Sequence, residues 1–211
     1  MDGVFFSRRR GGLCFKSAFI TAFLLNDFVV SELFIYLFGT GAPRSEEADA
    51  DLSSAVAVSL SASSKTGRCF SCNLMRNRDG ASRGPLALLQ LLSLPDSLHR
   101  YPGTKTLRMK SARYNESDAM AWVSGFRPTR VIIIDFGAPK AVRGAVSSAA
   151  SGMSPAVAVT CVAVGAEAKI YSDAELATLR KSAVSPGKVM LNKSALRDQA
   201  MELMGPAEYS R

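Results

Sequence analysis

The side chains in this 211-residue chain that could do chemistry are few: four cysteines, one histidine and a scatter of carboxylates and hydroxyls. Cys69 and Cys72 form a CxxC pair, with Cys14 and Cys161 far away in sequence. A structural zinc would need a second such pair or two histidines, and His99 is the single histidine. A redox CxxC opens a helix after a strand. Phe70-Ser71 between the cysteines does not suggest that setting, so they read as free cysteines on a strand. His99 has no nucleophile elbow to serve and reads as a surface loop residue. Asp135-Phe136-Gly137 copies a kinase tripeptide, but the glycine-rich loop, strand lysine and catalytic loop that give it meaning are missing. Gly39-Thr40-Gly41 starts like a dinucleotide loop, yet the third glycine would fall at Arg44, in an acidic stretch rather than a helix. Asn115-Glu116-Ser117 and Asn192-Lys193-Ser194 are glycosylation sequons, with meaning only for a secreted chain.

Charge is the second signal. The net charge is +8. Between Leu52 and Arg130 there are twelve Lys or Arg against four Asp or Glu. Arg100, Lys105, Arg108, Lys110 and Arg113 cluster within that stretch. Tyr101 alone falls among them and no nucleic-acid motif is recognisable, so a nucleic-acid surface is not expected. An acidic partner is the class this charge suits, against the common alternative of a solvated face.

Elements must position these groups. At 47% apolar and 21% charged residues the chain has the balance of one globular domain. Residues 13–38 are very apolar behind Arg8-Arg9-Arg10. Lys16, Asn26, Asp27 and Glu32 interrupt the run, leaving pieces shorter than the ~20 residues of a membrane span. No membrane span is expected, and a signal segment is the lesser reading. Location stays open: extracellular or cell surface if the stretch acts as a signal, otherwise intracellular. The main reading is a buried strand, Phe19–Leu25, followed by a short helix at Ser31–Phe38. Ala55–Leu60 and Thr66–Leu74 read as strands of a hairpin turning at Ser61–Gly67. Pro85–Leu94 reads as a helix with Pro85 in its first turn. After a loop at Tyr101–Thr106, a helical stretch reaches Phe126. Arg130–Asp135 is the strongest strand. Lys140–Ser151 reads as a helix, Ala156–Val164 as a strand and Ser172–Ala183 as a helix opened by a Ser172/Glu175 capping box. Lys188–Leu191 is a short strand and Ala195–Met204 a closing helix. From residue 130 the alternation of strand and helix requires a mostly parallel sheet with helices on both faces.

The order and spacing of the C-terminal segments resemble the back half of a von Willebrand factor type A domain. The residues carrying the resemblance are Val131-Ile-Ile-Ile-Asp135-Phe-Gly137, Val162-Ala-Val-Gly165, Asp173-Ala-Glu175-Leu176 and Ser185-Pro-Gly187-Lys-Val-Met-Leu191. Pro102-Gly103-Thr104-Lys105-Thr106 resembles the family's threonine loop, and Asn26-Asp27-Phe28-Val29-Val30-Ser31 stands where its first metal motif would fall. The resemblance implies an α/β fold, doubly wound, with a mostly parallel central sheet, one antiparallel edge strand and helices on both faces. It divides the chain into a basic extension (1–16), the domain (17–205) and a tail (206–211).

The same resemblance implies a protein-interaction or adhesion module rather than an enzyme. It places a metal-ion-dependent adhesion site at the carboxyl end of the sheet, with Asp27, Ser31, Thr104 and Asp135 around Mg²⁺ or another divalent cation. Val29 replaces a ligand serine, so the site would be one oxygen short. A protein partner would dock there through an acidic residue, helped by Lys105 and Arg108. A second reading is a small nucleotide-binding α/β protein or enzyme. Strand direction separates the two: an antiparallel edge strand belongs to the first, and an all-parallel sheet favours the second.

Overall fold

The computed structural model describes residues 52–77, 84–95, 107–153 and 157–165, together with residues 18, 20–22, 25, 172–175, 188–190, 198, 201, 202 and 205. The main elements run β1 (Ala55–Leu60), α1 (Lys65–Asn77), β2 (Ala87–Leu92), β3 (Arg108–Arg113), α2 (Ala119–Ser124), β4 (Arg130–Phe136), α3 (Lys140–Ser151), β5 (Ala158–Gly165) and β6 (Lys188–Met190). The strands form one six-stranded sheet in the order β3-β2-β1-β4-β5-β6, and every neighbouring pair is parallel.

A parallel sheet covered on both sides needs apolar residues facing both ways, so its inner strands lose the polar/apolar alternation. β1 and β2 are buried at every position, and β4 at all but its two ends. Residues alternate between two cores. Ala55, Ala57, Leu88, Ile132 and Ile134 face Phe70 and Leu74 of α1, with Ala22 and Leu25 in the same core. Val56, Val58, Leu60, Leu89, Val131 and Ile133 face Val123 of α2 and Val146 and Ala150 of α3. This is a doubly wound α/β arrangement.

The strongest expectations hold where the pattern was least ambiguous: β4, β5, β6 and α3 stand within two or three residues of their expected limits. The described residues of the two last expected helices, 173–175 and 198, 201 and 202, are helical. The Ser172/Glu175 capping box closes in both directions, at 2.9 and 3.3 Å.

The front half requires corrections. Ala18 and residues 20–22 are helical and Leu25 lies in a π-helical turn, so Phe19–Leu25 is not a central strand. Among the described residues of this stretch Ala18, Thr21, Ala22 and Leu25 are buried. That is the i, i+3, i+4, i+7 spacing of a helix, which a uniformly apolar run conceals. Ala55–Leu60 takes the central place instead. Thr66–Leu74 is helix α1, not the second strand of a hairpin; its buried Phe70, Ser71, Leu74 and Met75 follow helical spacing. Pro85–Leu94 contains β2. Leucine favours helix intrinsically, but the two-sided burial of Ala87–Leu92 outweighs that preference. The helix expected up to Phe126 is strand β3 followed by the short α2. No antiparallel edge strand is present among the described residues. The edge β3 carries Arg108, Lys110 and Arg113, charges that discourage pairing with another chain. No helix among the described residues is long and apolar enough to cross a membrane.

Lys110 ties β3 to the turn before α2, through Asp118 at 2.7 Å and Glu116 at 3.2 Å. The Lys110 hydrogen bond holds the Asp118 carboxyl below the usual carboxylate range. Any stability from this contact is therefore present at neutral pH and lost as pH falls through that lowered value. Lys110→Gln should return the Asp118 carboxyl towards its ordinary range in an NMR pH titration; an unmoved titration would mean the ion pair is not formed in solution.

Leu25 tests the new first element. It is fully buried in the α1-side core, so Leu25→Ala should cost about 2–5 kcal/mol in urea denaturation. Leu94→Ala, at a side chain 64% exposed, should change stability by less than about 0.5 kcal/mol. Equal, small effects at both positions would contradict the packing of Ala22 and Leu25 into this core.

Candidate nucleotide site at the carboxyl end of the sheet

Strands β1 and β4 are neighbours, but the chain leaves them in opposite directions, β1 towards β2 and β4 towards β5. The order therefore reverses between them. In open parallel sheets the crevice outside the carboxyl ends of two such strands is where ligands bind. Leu60 pairs with Asp135 in register, so the turns that leave β1 and β4 start side by side.

The β1–α1 turn is Ser61-Ala62-Ser63-Ser64, and every residue in it has a local job. Ser61 adopts φ +53°, the left-handed conformation that sends the chain sharply off the strand. Its hydroxyl shares a 2.9 Å hydrogen bond with Tyr114 Oη, just beyond β3. The Ala62 N–H donates to the Leu91 carbonyl at 3.2 Å, anchoring the turn to β2. Ser64 caps α1: its Oγ accepts from the Gly67 N–H at 3.1 Å, a contact that stabilises a helix by about 1 kcal/mol. The Ser63 carbonyl accepts from Arg68 Nε at 2.9 Å.

Gly67 is required by space. A Cβ there would lie 3.0 Å from the carbonyl oxygens of both Ser61 and Ala62 and 3.1 Å from the Ala62 Cα. These are backbone atoms that cannot swing away, so only glycine lets the first turn of α1 sit this close to the β1 turn. One turn later, Ser71 Oγ donates to the Gly67 carbonyl at 3.0 Å and accepts from Gln90 Nε2 at 2.9 Å. Ser111 Oγ donates to Gln90 Oε1 at 3.1 Å. A buried polar chain thus fastens α1 across β2 to β3.

The first turn of α1 carries no carboxylate, and its first residue is the exposed Lys65. A helix N-terminus has unpaired N–H groups and a partial positive charge. The lysine, the small turn residues and the hydroxyls around it suit an anion such as a pyrophosphate.

The turn after β4 is occupied differently. Asp135 is fully buried. Its Oδ1 accepts from the N–H groups of Gly137 at 2.9 Å and Ala138 at 2.7 Å. Its Oδ2 accepts from Arg143 Nη1 at 2.9 Å. Both oxygens hold the β4–α3 turn together, with Gly137 at φ +106°. Among the described residues no group of three or more His, Cys, Asp or Glu side chains could hold a metal ion. Asp27, Ser31, Thr104 and Lys105, the other residues of the adhesion-site expectation, lie outside the described residues, as does Val29. Arg108 is the first residue of β3, so it stands at the amino end of the sheet, opposite the expected mouth. Its guanidinium lies 5.8 Å from the Phe126 ring centroid, a cation–π contact.

Cys69 and Cys72 are free and helical rather than on a strand. Burial, and secondarily the neighbouring Cys72, pushes the Cys69 thiol above its ordinary range. A reactive redox thiol needs the reverse shift.

Sequence reading missed the β1–α1 turn as a site because it lacks the three-glycine fingerprint. The signal was there in another form: a strand apolar but for Ser59, then four small residues of which the last, Ser64, stands three before Gly67, with helical spacing behind it.

A family model described as Protein of unknown function (DUF2855) matches residues 7–211. No curated protein and no solved structure matches the chain.

Gly67→Ala should lower stability by about 1–3 kcal/mol through the forced shift of α1. A helical glycine replaced by alanine ordinarily gains up to about 1 kcal/mol, so a rise in Tm would contradict the close approach. Asp135→Ala, which orphans Arg143 and two N–H groups, should cost about 3–5 kcal/mol in urea denaturation. Mg²⁺ should leave the wild-type midpoint unmoved; a Mg²⁺-dependent rise that Asp135→Ala abolishes would return Asp135 to metal duty.

Proposed function

The chain belongs to the DUF2855 family, and we propose that it binds a dinucleotide, with the pyrophosphate at the N-terminus of α1. The observation that carries this reading is the strand order 3-2-1-4-5-6 in an all-parallel sheet, with a tight turn and helix start at its reversal point. That order is the one associated with paired mononucleotide-binding halves.

The residues fit the group. In the usual glycine-rich loop one glycine makes the tight turn, one lets the backbone approach the phosphates and one permits close helix–strand packing. Ser61 takes the first role through its left-handed conformation. Ala62 and Ser63 keep the middle of the turn small. Gly67 takes the third role, since any Cβ would meet backbone. Lys65 adds a positive charge at the helix start, where a pyrophosphate carries two negative ones. When bound, a nicotinamide or flavin dinucleotide supplies hydride-transfer chemistry; the proposal assigns the chain binding and orientation, and no catalytic residue. The reading of a protein-interaction module has less support, because its first strand is helical and its antiparallel edge is not found among the described strands.

Titration with NADH, NADPH and FAD, followed by fluorescence or calorimetry, tests the proposal. At least one should bind saturably. Lys65→Glu, at an exposed position, should weaken that binding about tenfold or more while Tm stays nearly constant. Binding that ignores the charge reversal would place the phosphates elsewhere, and no binding of any of the three would overturn the reading.

A further inference from the structure

We infer that the site selects the 2′-phosphorylated dinucleotide, NADPH over NADH, and that Arg113 is the residue that selects it; this rests on the dinucleotide reading above. In a dinucleotide fold the adenosine ribose lies over the carboxyl end of the second strand. A carboxylate there accepts from a free 2′-hydroxyl and repels a 2′-phosphate, whereas a nearby arginine does the opposite.

Here the second strand ends at Leu92, and the residues that follow, Ser93 and Leu94, are exposed and uncharged. The next carboxylate in sequence, Asp96, comes only beyond Pro95. On the neighbouring strand, Arg113 pairs in register with Leu92. It is exposed and ends β3, one strand spacing of about 4.8 Å from the end of β2. Alternation along β3 puts Arg113 on the same face as Ser111, whose hydroxyl reaches Gln90 beneath α1. That is the face on which α1 and its first turn lie. Among the described residues the Arg113 guanidinium has no hydrogen bond or ion pair; Glu116 accepts from the Arg113 backbone N–H through Oε2 at 3.1 Å and pairs with Lys110 through Oε1, and Asp118 pairs with Lys110. A 2′-phosphate carries about 1.5–2 negative charges at neutral pH. It would meet the Arg113 fork, which suits phosphate better than an ammonium does.

The test is the pair of dissociation constants for NADPH and NADH on the full chain, wild type and Arg113→Ala, with circular dichroism to confirm that the variant folds. Wild type should bind NADPH about tenfold or more tighter than NADH. Arg113→Ala should remove most of that difference by weakening NADPH alone, and Arg113→Lys should restore part of it. Equal affinity, or tighter NADH, overturns the inference while leaving the dinucleotide reading intact. A variant that weakens both cofactors alike overturns the role of Arg113. Failure of both cofactors to bind wild type overturns the inference, and the reading it rests on falls with it only if FAD fails to bind as well.

Discussion

The backbone of α1 approaches the turn after β1 so closely that a Cβ at residue 67 would lie 3.0 Å from two carbonyl oxygens and force the backbone to shift. Much else follows from this contact. It sets where the first helix begins, and the Ser64 cap and the left-handed Ser61 are what allow the chain to turn within four residues. It brings the open N–H end of the helix over the edge of the central strand. It also sets the angle at which Phe70 and Leu74 descend onto Ala55, Ala57 and Ile132. The polar chain from the Gly67 carbonyl through Ser71 and Gln90 to Ser111 then holds the helix in that register. A core made only of leucine and valine would not specify it as narrowly, since apolar contacts are non-directional and hydrogen bonds are not.

The two turns at the reversal point of the sheet are built on different physics. After β4, a buried carboxylate gathers two N–H groups and a guanidinium, and its charge is consumed in holding the turn. After β1 there is no carboxylate; hydroxyls and small side chains shape the turn, and the positive end of α1 stays uncompensated by any acidic residue in its first turn. One turn is closed by its own carboxylate, and the other is held by hydroxyls, backbone groups and the Arg68 side chain.

How much of this was legible in the sequence follows from which residues carry two readings. Arg130–Phe136 and Lys140–Ser151 could hardly be mistaken: isoleucines bounded by Asp135 and Gly137 make a strand, and the alternation with a small-residue helix makes the sheet parallel. The capping box at Ser172 and Glu175 was equally plain, because it is a local interaction between residues three apart. Ala87–Leu92 was not. Five apolar, leucine-rich residues around Gln90 satisfy a helix by propensity and a two-sided strand by burial, and only the tertiary position decides. The run at residues 18–25 has the same ambiguity with the opposite outcome. Thr66–Leu74 reads as a strand once Ser61–Gly67 is taken for a hairpin turn; the same residues also fit a helix cap at Ser64 with Gly67 in the first helical turn, and the structure takes that form. The parallel strands β4, β5 and β6 are therefore legible from the alternation after residue 130, while in the front half the expected first strand, hairpin and leucine-rich helix give way to helix, helix α1 and strand β2.

Amide hydrogen exchange with and without saturating NADPH bears most directly on the β1–α1 turn as the nucleotide site. Backbone N–H groups at the start of α1 would become acceptor-paired on binding, so exchange should slow in peptides covering Leu60–Arg68, with smaller protection at the ends of β2 and β3. Saturable binding accompanied by protection only elsewhere in the chain, with Leu60–Arg68 unchanged, would contradict the account.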